Sequence, residues 1–301
     1  MTPMTGAQCG WRQVAVLLFA VLPSLSPAAE QHAFADVPYV PTPATVVDAM
    51  LKLASIGPQD FVIDLGSGDG RIIIAAAKKN GARGFGVEID GALVSEARRE
   101  AQRQGVAGRV EFLEQNLFVT EIDRASVLTL YLYPRLLMKL RPRFFNELRP
   151  GTRIVSHDFD MDDWQPDARV TVPVPGKPYG PPSSEVYFWV IPANAAGNWR
   201  WRSPAAGAAD VELALSQTFQ KVEGIPRIGG RQGRLEQGGM RGDEIRFILT
   251  VEVDGQPLRQ EYSGRLSGDT ISGKVKLASG EFDWSATRTQ RGSIKLGKSD
   301  E

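Results

Sequence analysis

A hydrophobic strand, a turn holding three glycines and a hydrophobic helix follow one another in VIDLGSGDGRIIIAAA, residues 62–77. Gly66, Gly68 and Gly70 stand where the strand hands over to the helix. In open α/β sheets, such a turn at the carboxyl end of a strand is where nucleotide ligands bind. Glycine takes left-handed backbone angles and lets a ligand approach without meeting a Cβ atom. The spacing G-x-G-x-G departs from the dinucleotide fingerprint G-x-G-x-x-G, which sets a pyrophosphate at the helix N-terminus. A phosphate-cradling loop ending in Lys and Ser or Thr is also missing. Instead Asp64 precedes the glycines and Asp69 lies among them. Two fixed carboxylates oppose a pyrophosphate and suit a ligand bearing positive charge, such as an ammonium and a sulfonium.

Strands and helices alternate around this turn. FVIDL, RGFGVEI, RVEFLEQ, SVLTLYLY and TRIVSHDF read as strands, separated by GRIIIAAAKKNG, GALVSEARREAQRQG and a helix over 134–151 broken at Pro142. Continuous apolar strands between helices imply an α/β fold, a doubly wound parallel sheet covered on both faces. Ahead of it, Thr42 is expected to cap a helix over residues 43–55, with Val46, Val47, Met50, Leu51 and Ala54 on its buried side. The proline-rich VTVPVPGKPYGPP then leads to a last strand, SSEVYFWVI. Beyond Pro192 the helical periodicity fades, and short runs punctuated by turns predict a small antiparallel all-β domain, a barrel or a sandwich. The expected boundaries are 37–193 for the α/β domain, with ANAAGNW as linker, 197–290 for the β domain and 291–301 for a frayed polar tail.

Arg12, the apolar run VAVLLFAVLPSL and the small residues after it have the order of a secretory signal peptide over 1–35, cleaved after Ala28 or Ala35. Such a chain is exported, periplasmic or secreted, with no stable membrane insertion after cleavage; the alternative is an uncleaved anchor in the membrane. Cys9 is the single cysteine and precedes the apolar run, so thiolate metal sites and disulfides are excluded from the mature chain. Lys plus Arg and Asp plus Glu both number 35, so no global electrostatic grip on nucleic acid is indicated.

Glu88 ends the second strand, 22 residues after Gly66. An acidic residue there bonds ribose hydroxyls in folds of this class. Gln115 and Asn116 follow the third strand, where their amides can read an adenine edge. Together VIDLGSGDGR and GVEID resemble the class I S-adenosylmethionine-dependent methyltransferases, which have a Rossmann-like sheet. With PYVPTP before the first helix, the chain is most similar to a family of protein-lysine methyltransferases. Mitochondrial members of that family modify the ATP synthase c-ring protein and the adenine nucleotide translocase. The resemblance spans roughly residues 37–192. It implies S-adenosylmethionine as cofactor and a protein substrate, with a lysine side chain as the expected acceptor and no nucleic-acid partner. It implies that the segment Tyr39 to Thr42 lies over the cofactor, that Asp64 and Gly66 hold its methionine moiety and that Glu88 holds its ribose. Asn116 stands where the family often has an acidic residue beside adenine. Ser67, Gly68, Asp69 and Gly70 in the turn complete the expected cofactor set, with Ile89 and Leu117 beside Glu88 and Asn116.

Methyl transfer from a sulfonium is an in-line displacement on an activated carbon, so alignment and water exclusion matter more than covalent catalysis. An amine acceptor must lose its proton, which an apolar or aromatic pocket favours. Tyr131 and Tyr133 follow the fourth strand, either facing substrate or packed in the strand. The [DN]-P-P-[YF] signature of adenine and glutamine methyltransferases is absent. SHDFDMDDW, residues 156–164, is a second polar cluster. Alternation sends His157 and Asp158 to opposite faces and no second histidine is near, so no metal site is expected. An acidic rim and a solvated loop remain, with Asp158 the choice for guiding an amine. Trp199, Trp201 and Trp284 can recruit substrate or fill a core. An enzyme acting on protein amines leads. A noncatalytic binder of a nucleoside-like ligand or of a partner is the alternative, and the glycine spacing and Asp69 disfavour an oxidoreductase.

Overall fold

The computed structural model describes residues 39–178, 180–204 and 209–297. The expected signal peptide lies outside them. Helix α1, Ala44–Leu53, precedes strand β1, Phe61–Leu65, which leads through the glycine turn into α2, Arg71–Asn80. Then come β2 (Arg83–Glu88), α3 (Gly91–Arg103), β3 (Val110–Glu114), β4 (Val127–Leu130), α4 (Pro134–Glu147) and β5 (Arg153–His157). Strands β6, Ala168–Pro173, and β7, Ser183–Val190, complete a seven-stranded sheet of order β3-β2-β1-β4-β5-β7-β6. The order reverses between β1 and β4, and ligands of open α/β sheets bind at the carboxyl ends of such a pair.

Local chemistry explains most of the boundaries. Gly81 ends α2 with φ +73°, and the Asp90 side chain caps α3 by accepting from the Ala92 and Leu93 amides. On α1 the residues Val46, Val47, Met50 and Leu51 are buried as the period predicts, and so is Ala54 just after it. Burying each of the larger aliphatic side chains fully stabilises by about 1.5–3 kcal/mol.

Four expectations need correction. The sheet is mixed, because β6 and β7 run antiparallel; β6 was hidden in a stretch whose prolines suggested a loop. Proline is tolerated there because β6 is an edge strand, and Pro173 is its last residue. Helix α4 runs through Pro142 without a break; that residue is on the exposed side, where the freed carbonyl can turn to water. Thr42 does not cap α1; Pro43 holds the N-cap position, without a side-chain cap. Finally, β4 stops at Leu130, short of the expected SVLTLYLY, so Tyr131 and Tyr133 follow the strand and do not pack within it.

The C-terminal strands close into an eight-stranded antiparallel barrel. It comprises β8 (Gly197–Arg202), β9 (Asp210–Thr218), β10 (Lys221–Ile228), β12 (Arg234–Arg241), β13 (Glu244–Val253), β14 (Gln256–Ser267), β15 (Thr270–Leu277) and β16 (Gly280–Arg291). Each pairs with the next, and β16 returns to β8. Two-residue strands β11 (Arg231–Gln232) and β17 (Ile294–Lys295) flank it, β17 pairing with β9 where a polar tail was expected. Inward and outward residues alternate, and eight strands leave an interior that side chains fill. Trp201, Phe247, Tyr262 and Trp284 pack there ring against ring. Trp199, Trp201 and Trp284 are therefore core residues, which removes them as a recruiting surface. Residues 193–196 are mostly buried and do not form an open linker. Phe145, Trp164 and Phe219 stack where the barrel meets α4, and Trp164 donates to Gln220.

Candidate active site

The glycine turn is shaped by backbone bonds to β2. The Gly66 and Ser67 amides donate to the Val87 carbonyl, at 2.9 and 2.8 Å. Gly66, Gly68 and Gly70 all have positive φ, +78°, +54° and +79°. At Gly68 a side chain would also run into the Tyr39 ring, so that ring packs against the turn. Glu88 reaches across from the tip of β2. Its Oε2 accepts from the Gly68 amide at 3.0 Å and its Oε1 from the Ile89 amide at 2.7 Å. Ile89, beside it, is 44% exposed.

The two aspartates of the turn have different surroundings. Asp69 is bound twice by Arg71, whose Nε and NH2 groups donate at 2.9 and 2.6 Å. Burial works against its charge, but those bonds outweigh burial and hold the carboxyl below its ordinary value. The same Arg71 donates to the Thr42 carbonyl, so the ion pair fastens the Tyr39–Thr42 segment over the turn. Burial first, and then the charge and hydrogen bond of Asp69, push the Tyr39 phenol up to about 12.

Asp64 has no cation beside it among the described residues. Its register partner on β4 is Thr129, which donates to Oδ1 at 2.6 Å, and the side chain is 1% exposed. Its Oδ2 is buried without a hydrogen-bond partner among those residues, and so is the hydroxyl of neighbouring Ser67. Burial, only partly offset by Thr129 and reinforced by the charges of Glu88 and Asp69, raises the carboxyl to about 7. A buried carboxylate oxygen left unpaired costs on the order of 1–3 kcal/mol or more, and an arriving ammonium removes that cost.

An aromatic wall stands at the ends of β4 and β5. Tyr131 stacks on His157 at 3.9 Å and faces Phe159, which Tyr133 meets at 5.6 Å. His157 is buried, its Nδ1 at 3.2 Å from the Thr42 hydroxyl and its Nε2 at 2.9 Å from the Ser184 hydroxyl. Burial drives this imidazole down to about 4, so it is neutral and its contact with Asp158 is not an ion pair. Burial, then Asp158 and Tyr133, push the Tyr131 phenol up to about 12. Tyr131 thus stays a neutral phenol and not a base. Alternation should have parted His157 from Asp158. Asp158 instead takes φ +60° just past the strand, which turns its carboxylate back to within 3.4 Å of the ring.

Residues 64–168 match the ANTKMT methyltransferase domain family. A protein-lysine N-methyltransferase of Saccharolobus islandicus is 42% identical over 156 residues, 52% of this chain and 94% of that protein. The chain belongs to the protein-lysine N-methyltransferase family. An adenine nucleotide translocase lysine N-methyltransferase from Mus musculus is 35% identical over 135 residues, 45% of this chain and 58% of that protein. A solved RNA methyltransferase from Salinibacter ruber, in complex with S-adenosylhomocysteine, is 50% identical over 50% of this chain and 93% of that one, with a TM-score of 0.46. Family members are S-adenosylmethionine-dependent methyltransferases.

The residues present fit that cofactor. Asp64 offers a buried, cation-free carboxylate, Glu88 a partly exposed one, and Ile89 an exposed apolar surface beside it. Asn116 and Leu117 follow β3, the Asn116 side chain accepting from the Phe118 amide at 2.9 Å. The structure brings Tyr39, Thr42, Asp64 and the glycine turn together around the end of β1, and Tyr131, Tyr133 and Asp158 around the ends of β4 and β5. Thr129, Phe159, Ser184 and Lys177 were missed by sequence reasoning. Their only sequence signal was position near a strand end, and site partners 19 to 65 residues apart carry no periodicity.

Proposed function

We propose that this chain is an exported enzyme that transfers methyl groups from S-adenosylmethionine to lysine side chains of a protein. The observation that carries the reaction is the unpartnered Asp64 oxygen at the end of β1, beside the glycine turn of this family's fold. Export rests on the sequence order in residues 12–35.

S-adenosylmethionine supplies a methyl carbon made electrophilic by its sulfonium. Asp64 would bind the amino group of its methionine part, with the amides of the glycine turn nearby. Glu88 would exchange its bonds to the turn for ribose hydroxyls, and Ile89, Leu117 and Asn116 would hold the base. Tyr39 and Thr42 form the cover, locked by Arg71. On the acceptor side, Asp158 draws a lysine ammonium toward the site. Tyr131, Tyr133 and Phe159 then exclude water, desolvation favours the neutral amine, and the proton leaves to solvent by way of Asp158 before the nitrogen attacks. Positioning is then the main catalytic effect.

The test is radiolabelled methyl transfer from S-adenosylmethionine to cell-envelope proteins and, in parallel, to RNA. Methyl-lysine located by mass spectrometry is the expected product. Label in RNA alone would refute the lysine reading. Cofactor binding with no transfer to any acceptor would favour a noncatalytic binder. Fractionation of the tagged chain checks export, and recovery of the full-length protein in the cytosolic membrane would refute it.

A further inference from the structure

A primary ammonium already stands beside the acceptor side of this site. Lys177 lies in the connection between β6 and β7, and its Nζ donates to Asp158 Oδ2 at 2.6 Å and to the Ser183 carbonyl at 2.9 Å. Both side chains are largely shielded, 13% and 16% exposed. The receiving carboxylate is held from its other side, Oδ1 accepting from the Glu185 amide at 3.1 Å. Its position goes with the left-handed backbone of Asp158, φ +60°, a strained conformation for a residue other than glycine that clusters at functional sites. One step away, His157 backs Tyr131, and Tyr131 and Tyr133 share Phe159. A lysine head group therefore occupies a carboxylate at the border of the aromatic wall.

The connection that delivers it is rich in glycine and proline. Gly176 and Gly180 have φ +78° and +75°, and Pro175, Pro178, Pro181 and Pro182 withhold amide donors. Among its described residues, the Lys177 and Val174 amides make the backbone bonds, to the Val174 and Pro182 carbonyls. The Lys177 ammonium adds two bonds to these, to Asp158 and to the Ser183 carbonyl.

We propose that Asp158 and the Ser183 carbonyl form the receptor for the ammonium of the acceptor lysine, and that Lys177 is its resident occupant, displaced when substrate enters. The inference rests on the lysine-methyltransferase reading above and adds the subsite and its internal competitor. Lys177 acts as an intramolecular surrogate for substrate: it keeps the carboxylate paired in the resting chain and rejects side chains that lack a cation.

The probe is n-butylammonium chloride, the lysine side chain in miniature, titrated into the full chain saturated with S-adenosylhomocysteine and followed by ligand-observed NMR. Removing the internal competitor in Lys177→Met should tighten butylammonium binding by about tenfold, whereas Lys177→Arg should bind no tighter than the wild type. Adding Asp158→Asn to Lys177→Met should abolish the gain, and n-butanol should bind all four chains alike. Equal butylammonium binding by wild type and Lys177→Met, or a gain that survives Asp158→Asn, overturns the subsite. Calorimetry on the same samples separates the two levels. Intact S-adenosylhomocysteine binding with flat butylammonium data defeats the subsite alone. A folded chain that binds no S-adenosylhomocysteine defeats the methyltransferase reading and the subsite with it.

Discussion

Binding of S-adenosylhomocysteine at pH 5.5 should expel close to one proton, and Asp64 is its source. Burial raises that carboxyl to about 7, with Thr129 opposing and Glu88 and Asp69 adding to the rise. At pH 5.5 about 97% of chains then carry the proton, and at pH 7 about half do. An ammonium bonded to the vacant Oδ2 favours the charged form and brings the carboxyl back below this range. The proton must leave for the ligand to bind, so affinity should rise about fifteenfold between pH 5.5 and pH 7, roughly 1.6 kcal/mol. His157, driven down to about 4, stays outside that window. Calorimetry in two buffers of different ionisation enthalpy counts the released protons directly. Asp64→Asn has no proton to lose. It should bind about 1.5–3 kcal/mol more weakly and show no proton release. Ligand binding without proton release at pH 5.5, or the same release from Asp64→Asn, would refute the assignment of Asp64 as the ammonium's partner.

Without ligand, the same group should make the fold less stable as pH rises. Between pH 4 and 7 the folded chain keeps a proton on Asp64 that the unfolded chain has lost, so stability falls by roughly 2 kcal/mol from pH 5 to 7. Urea unfolding at several pH values should show this slope, and Asp64→Asn should flatten it. Gly68→Ala should weaken S-adenosylhomocysteine binding by at least about tenfold, because the new side chain meets the Tyr39 ring and the backbone at φ +54° resists it by about 1–2 kcal/mol; unchanged calorimetric affinity would contradict the cover's role. Trp284→Ala should cost about 3–5 kcal/mol through the cavity it leaves among Trp201, Phe247 and Tyr262. Thermal unfolding checks it, and a loss under about 1 kcal/mol would argue against a filled barrel.

The strand, turn and helix around Gly66 were legible because each depends on neighbours in sequence. Gly81 stops α2 by its own left-handed backbone, and Asp90 caps α3 two residues away. The hairpins of the barrel announced themselves through turn residues in the same way. β6 was missed because its prolines mimic a loop, and β8 because GNWRWR follows a run of small residues that reads as a linker. Both strands gain their bonds from partners distant in sequence. His157 and Asp158 were parted by an alternation rule that holds only inside a strand, and Asp158 has already left it.

The chain by itself indicated the ligand class and the candidate residues for it: three glycines at one strand end, carboxylates at fixed offsets, and a family resemblance across the first half. Only the tertiary structure decided what those carboxylates do. Arg71 neutralises Asp69, whereas Asp64 is buried against Thr129 with one oxygen unpartnered among the described residues. Only the fold, too, brought Thr42 to His157 across 115 residues and Lys177 to Asp158 across 19. The physical reason is common to all of these. Charge state and partnership depend on which groups share a volume from which water is excluded, and sequence spacing records only the contacts made along one strand, turn or helix.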